Sequence, residues 1–176
     1  MTDERRIANL SVPAHPVDVV LDTDAYNEID DQFAIAYLLR CREKLNTRAI
    51  YAAPFFNKNS TGPADGMEKS YGEILKLLAL AGETVDVFRG SDRYLADEKT
   101  PVVSPAAEHL ARLADEYSAQ RPLYVVAIGA ITNVASALLI NPRVAENTVV
   151  VWLGGCGRHY HDTREFNMMQ DIAAAR

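Results

Sequence analysis

The chain has 176 residues, enough to bury the core of one domain, and its formal net charge of −6 argues against a surface built for nucleic acid. No stretch approaches the ~20 apolar residues of a membrane span, and no apolar segment of the secretory kind follows the charged start Met-Thr-Asp-Glu-Arg-Arg. Cys41 and Cys156 lack the spacing of a disulfide framework or a zinc site, so reduced, buried thiols in a soluble cytoplasmic protein are expected.

Residues 1–16 read as a polar lead-in, loosely held, ahead of a single domain over 17–176. A first strand is expected over 17–21, where only Asp18 breaks an apolar run. A helix should start near Asp30 and reach about Leu45, with Phe33, Ala36, Tyr37 and Leu38 on its apolar face. A second strand over 48–53 runs into a loop rich in amides and aromatics at 54–60. A second helix over 66–80 places Met67, Tyr71, Ile74, Leu75 and Leu78 at helical spacing, and Gly82 stops it. A short strand over 85–88, a helix over 106–117, a strand over 123–127, a helix over 131–139 and a strand over 149–153 complete the pattern. Strands alternate with helices, and the best strands are apolar at consecutive positions, as burial on both faces requires. The fold class is therefore α/β, a mostly parallel, Rossmann-like sheet flanked by helices.

The chemistry concentrates between Asp22 and Asp31, Asp-Thr-Asp-Ala-Tyr-Asn-Glu-Ile-Asp-Asp, at the end of the first strand. Five carboxylates, Asp22, Asp24, Glu28, Asp30 and Asp31, would repel one another there unless a positive group joins them. Oxygen-only ligands suit a hard cation such as Ca²⁺ or Mg²⁺, and strand ends are where doubly wound sheets place their sites. The alternative is helix capping, which one or two of these acids would satisfy but which does not call for four aspartates.

Asp22-Thr-Asp24, Asp30-Asp31 and the following Phe33-Ala-Ile-Ala-Tyr-Leu-Leu resemble the N-terminal signature of the inosine-uridine preferring nucleoside hydrolases. The loop between the acidic pairs, Ala-Tyr-Asn-Glu-Ile, is two residues longer than the family's usual Pro-Gly loop. Residues 125–135 resemble the family's strand-turn-helix with a calcium-ligating carbonyl, which falls on Ile128; unaided, that stretch reads as a turn capped by Thr132 or Asn133. Leu153-Gly-Gly-Cys-Gly and Glu165-Phe-Asn167 resemble the family's glycine turn and ribose-binding motif, and Asp171 reads as a helix cap. Where the family commonly has a ribose-binding asparagine, this chain has His159; with His161 and Asp162 it reads as a surface loop rather than a metal site.

The resemblance implies a nucleoside-hydrolase-like fold and Ca²⁺-dependent cleavage of ribonucleosides to ribose and free base. It assigns Asp24, Asp31 and the Ile128 carbonyl to the metal, Asp24 also to the base that activates water, and Asp22 to orienting Asp24. Asp30, Glu165 and Asn167 fall to ribose, and Asn57, or else Asn59, fits the same pocket from the loop after the second strand. The expected partner is a small nucleoside, with no nucleic acid or membrane, in a homo-oligomer. The match covers about the first half of the family fold, so the chain reads as cut short at its C-terminus. Two other readings stand beside it. One is a Mg²⁺-dependent phosphohydrolase of the haloacid dehalogenase type, with Asp22 as nucleophile, although Tyr26 occupies a position where that motif has Thr or Val. The other is a half-fold that binds ribose or calcium without turnover.

Overall fold

Five strands, β1 (Val17–Thr23), β2 (Leu45–Ala52), β3 (Val87–Arg89), β4 (Leu123–Ala127) and β5 (Thr148–Trp152), form one parallel sheet in the computed structural model, which describes residues 2–176. Their order is β3-β2-β1-β4-β5. From β1 the chain winds outward through α2 (Ile29–Arg40) to β2 and through α3 (Pro63–Ala81) to β3. It then crosses back through α4 (Pro105–Leu113) to β4, on the other side of β1, and through α5 (Thr132–Ile140) to β5. The reversal between β1 and β4 opens a crevice at their carboxyl ends. Residues Asp22–Asp24 and Ile128–Gly129 occupy those two ends.

Alternation along β1 divides the core. Val19 and Leu21 pack with Ile50, Ile35, Leu38 and Ile74 under α2 and α3. Val20 packs with Leu123, Val125, Leu110 and Val134 under α4 and α5. Leu123, Val125 and Ala127 are fully buried on one side of β4, while Tyr124 and Val126 are half-buried on the other. Along the edge strand β5, Val150 and Val151 stand exposed, as does Leu153 just beyond it.

Several boundaries differ from expectation. α2 ends at Arg40, because Leu45 already opens β2 beside Val17. Its inward face is Asp31, Ile35, Leu38 and Leu39, while Phe33 and Tyr37 are 69% and 71% exposed. Asp31 turns inward to meet Thr23, on the same helix face that buries Ile35, Leu38 and Leu39. The third strand is displaced to Val87–Arg89. α4 starts one residue earlier than expected, capped by the Ser104 hydroxyl, and passes into a 3₁₀ turn at Ala114–Glu116. α3 stops at Gly82, whose φ of +67° is the left-handed cap expected of it. The lead-in holds α1 (Asp3–Asn9), capped by Thr2 and tied down by Asn9 Nδ2 donating to the Ala119 carbonyl at 3.0 Å. Short helices α6 (Val144–Asn147), α7 (Phe166–Gln170) and α8 (Ile172–Ala175) complete the chain. Neither thiol is paired, and they are not both buried: Cys41 is half-buried and Cys156 exposed. Among the described residues no helix is long and apolar enough to cross a membrane.

Candidate active site

Three acids are carried into the interior: Asp22 on β1, Asp24 just past its end and Asp31 in the first turn of α2 are 0%, 1% and 6% exposed. None of them caps α2, whose N-cap Glu28 makes no side-chain capping bond. Asp22 Oδ1 accepts from Asn133 Nδ2 at 2.7 Å, and Asp22 Oδ2, though buried, has no hydrogen-bond partner among the described residues. Asp31 Oδ1 accepts from the Thr23 hydroxyl. Asp24 Oδ2 accepts from Asn27 Nδ2 at 3.0 Å, and Asp24 Oδ1 lies over Gly129, where an added Cβ would be 2.9 Å away. Asp30 stays exposed at the start of α2.

Burial dominates the electrostatics. It pushes Asp22 up to about 7, opposed by the Asn133 hydrogen bond and reinforced by the charge of Asp31. It pushes Asp24 up to about 8, with Asp31 the next cause. Asp31 also rises to about 7 through burial; Thr23 opposes the shift while Asp30 and Glu28 add to it. Three buried carboxylates and one orphaned oxygen form an anionic concentration that a hard cation would neutralise, so the donor set fits such an ion. Among the described residues no three His, Cys, Asp or Glu side chains form a group able to hold a metal by themselves. The expected set, two carboxylates and a backbone carbonyl, is not such a group.

The lengthened loop after Asp24 is ordered from both sides. Asn27 N donates to the Asp24 carbonyl at 2.7 Å, and Asn27 Oδ1 accepts from Asn57 Nδ2 at 2.5 Å. Asn59 Nδ2 donates to the Asn27 carbonyl at 3.2 Å, and Lys69 Nζ holds the Asn59 carbonyl at 2.8 Å. On the outer side the Tyr26 amide meets Ser70 Oγ at 3.4 Å, and Lys69 stands 5.8 Å from the Tyr26 ring centroid.

The C-terminal segment closes over β4 and β5. Asn167 Nδ2 donates to the Ile128 carbonyl at 3.0 Å and to the Leu153 carbonyl at 2.9 Å, which leaves Oδ1 as its remaining acceptor. Glu165 caps α7, accepting from Asn167 N and Met168 N, and reaches back to Gly155 N, each at 2.8 Å. Gly155 has φ +84°, the left-handed conformation its turn needs. Asp171 caps α8 as expected, and its Oδ2 also accepts from Leu95 N and the Thr132 hydroxyl. The sole tryptophan, Trp152, donates from Nε1 to the Gly129 carbonyl at 3.0 Å. His159 and His161 both lie on an exposed loop, His161 beside Asp162.

Thus Asp22, Asp24 and Asp31 come together, Ile128 and Asn167 touch, Asn57 reaches Asp24 only through Asn27, and Asp30 stands at the surface. Residues missed from sequence are Asn27, Thr23 and Tyr94. Tyr94 is half-buried, donates to Gln170 Oε1, and is raised by burial and then by the Asp24 charge, which marks it as a neighbour of the site. The extra loop length was the signal that could have found Asn27. Asn133, one of the two residues expected to cap the turn, instead donates to Asp22 on β1 and also accepts from Ser91 N at 2.8 Å and Ser91 Oγ at 2.9 Å. Clefts of about 640 Å³ beside Ile172–Arg176 and about 450 Å³ beneath Pro13–Asp18 lie away from these carboxylates. Buried charge, not volume, singles out the site.

Sheet order and acidic crevice together define a doubly wound α/β protein with its candidate site at the strand-order reversal. The family model for inosine-uridine preferring nucleoside hydrolase matches residues 19–176, and the chain belongs to that family. Solved structures agree in fold. A purine-preferring ribonucleoside hydrolase from Gardnerella vaginalis superposes with a TM-score of 0.68 at 22% identity, over 90% of this chain and 56% of that one. An inosine-guanosine nucleoside hydrolase gives 0.67 at 21% identity, over 89% and 56%. The type III effector XopQ, solved with adenosine diphosphate ribose, gives 0.68 at 20% identity, over 100% and 58%. The chain thus spans a little over half the length of these structures. No curated protein matches it.

Proposed function

We propose that the protein hydrolyses the N-glycosidic bond of ribonucleosides, giving ribose and free base, with Ca²⁺ held by Asp24, Asp31 and the Ile128 carbonyl. The observation that carries this reading is the buried, mutually repelling trio Asp22, Asp24 and Asp31, with one oxygen of Asp22 unpartnered, beside a strand-end carbonyl. When bound, the cation supplies orientation of the ribose hydroxyls and acidifies a water. Asp24 takes the proton from the attacking water as its oxygen bonds to the anomeric carbon and the C–N bond breaks toward the base. Asp30, at the surface, accepts from a ribose hydroxyl. Asn167 Oδ1 and the spare acceptor capacity of Glu165 meet other hydroxyls, and Asn57 offers its second amide hydrogen. Asp22 keeps the floor of the site anionic behind Asp24. The exposed apolar edge at Val150, Val151 and Leu153 supports a homo-oligomer.

The test is ribose release from a panel of purine and pyrimidine nucleosides, with and without Ca²⁺, using Asp24→Ala and Asp31→Ala as controls. Release that needs Ca²⁺ and both aspartates is the expected result. Phosphate release from nitrophenyl phosphate, abolished in Asp22→Asn, would instead mark the dehalogenase-type chemistry. A second reading, capture of a ribosyl group without turnover, is suggested by the fold match to XopQ, solved as an adenosine diphosphate ribose complex, over 100% of this chain and 58% of that one. Nucleoside or adenosine diphosphate ribose binding with no ribose released would select it.

A further inference from the structure

Asn27 lies in the lengthened acidic loop, and its polar groups are committed to both sides of the site. Its main-chain N–H closes a turn onto the Asp24 carbonyl at 2.7 Å, and its side-chain amide donates to Asp24 Oδ2 at 3.0 Å. Its own side-chain oxygen is held by Asn57 at 2.5 Å and its carbonyl by Asn59 at 3.2 Å. It is 8% exposed, so water does not compete freely for these bonds. The other carboxylate oxygen, Asp24 Oδ1, faces Gly129, where a Cβ would stand 2.9 Å from it, one residue after Ile128.

We infer that Asn27 is the positioning residue of this site: it claims Asp24 Oδ2 and so presents Oδ1 toward the Ile128–Gly129 turn. Asn57 acts on Asp24 through Asn27, by fixing the plane of the Asn27 amide. The inference rests on the calcium-site reading above. The physical basis is directional. A carboxylate on a short side chain rotates about χ2 between broad wells, and one charge-assisted amide bond selects among them. A longer acidic loop thereby supplies a support that a Pro-Gly loop cannot, because neither of those residues carries a side-chain donor.

Two readouts test it. Metal-free crystal structures of the wild type and Asn27→Leu report on Asp24 directly. In the variant, Asp24 should turn away from Gly129; an unmoved carboxylate overturns the inference. Calorimetric Ca²⁺ titration of the same proteins should show weakening of about tenfold to a hundredfold, the usual effect of losing a bond that orients a ligand. Asn57→Leu, which keeps Asn27 in place, should weaken Ca²⁺ binding by less. The double variant should be no weaker than Asn27→Leu alone, and multiplying losses would overturn the relay. If Asn27→Leu does not fold, the milder Asn27→Ala decides by the same two readouts, an unmoved Asp24 carboxylate overturning the support role, while an unchanged Asp24 and Ca²⁺ affinity in Asn57→Leu overturn the relay. A wild type that binds no Ca²⁺ refutes the calcium reading, while the pair of crystal structures still decides the role of Asn27.

Discussion

Replacing Asp22 by asparagine should raise the stability of the metal-free protein, and by much more at alkaline than at acidic pH. Asp22 is fully buried, accepts one hydrogen bond from Asn133, and has a second oxygen without a partner among the described residues. Its pKa rises from 3.8 to about 7, chiefly through burial. A carboxyl with a raised folded pKa favours the fold below its unfolded pKa, and that contribution is lost as pH climbs toward the folded value. At about 1.4 kcal/mol per pKa unit, ionising Asp22 costs the fold on the order of 4 kcal/mol at pH 8 but under about 2 kcal/mol at pH 5. The replacement amide would keep an acceptor for Asn133 and remove the charge, while leaving an unpaired amide donor worth about 1–3 kcal/mol against it. The two effects nearly cancel at pH 5 and leave a gain of about 2 kcal/mol at pH 8. Urea unfolding followed by Trp152 fluorescence, in the presence of a chelator at both pH values, measures the difference. A stability change equal at pH 5 and pH 8, or a loss that deepens with pH, would refute the reasoning.

Wild-type protein without metal should lose melting temperature steadily from pH 5 to pH 8, as Asp22 and Asp31 near 7 and Asp24 near 8 are forced to ionise, and added Ca²⁺ should restore it; calorimetric scans with and without the ion check both halves. Asn133→Ala strands Asp22 Oδ1 and Ser91 N in the core and should cost about 2–4 kcal/mol in urea unfolding at pH 7. Gly66→Ala would set a Cβ 2.1 Å from the Phe55 carbonyl oxygen, backbone against backbone, and should cost about 3 kcal/mol or prevent folding, read by soluble yield and melting temperature. Calorimetry on the Asp24→Ala/Asp31→Ala double variant should show no Ca²⁺ heat, and a heat equal to wild type would remove those residues from the metal site.

Elements buried on both faces were the most legible. β4 falls at Leu123–Ala127 as expected because its continuous apolar run has no polar face to blur its ends. The acidic cluster was legible for the opposite reason: charges after an apolar strand conflict with burial and so announce a special environment. The rotation of α2 was not, because Phe33 and Tyr37 look like core residues until Thr23 is seen to draw Asp31 inward. Asn133 looked like a cap because its partner Asp22 lies 111 positions away, a relation that no local pattern carries. Asn27 was hidden by the same limit, since its bond to Asn57 spans 30 positions. α1 escaped notice because it buries no residue and so leaves no apolar periodicity to read.

The strand order has a consequence for the order of events during synthesis. β1 is made first yet sits at the centre, and one of its neighbours, β4, begins more than 100 residues after it starts. Until residues 123–133 leave the ribosome, one flank of β1 has no partner and Asp22 has no amide to meet it. Non-local pairing of this kind is slow to form, because a long loop must close before any contact rewards it. The nascent β1–β2–β3 unit therefore carries an open apolar edge with a carboxylate at its tip, a species that a chaperone would shield and a protease could clip. The arrival of β4 gives β1 its second partner and brings Ile128 and Asn133 to the buried acids, so that one pairing event both covers the flank of β1 and builds the crevice.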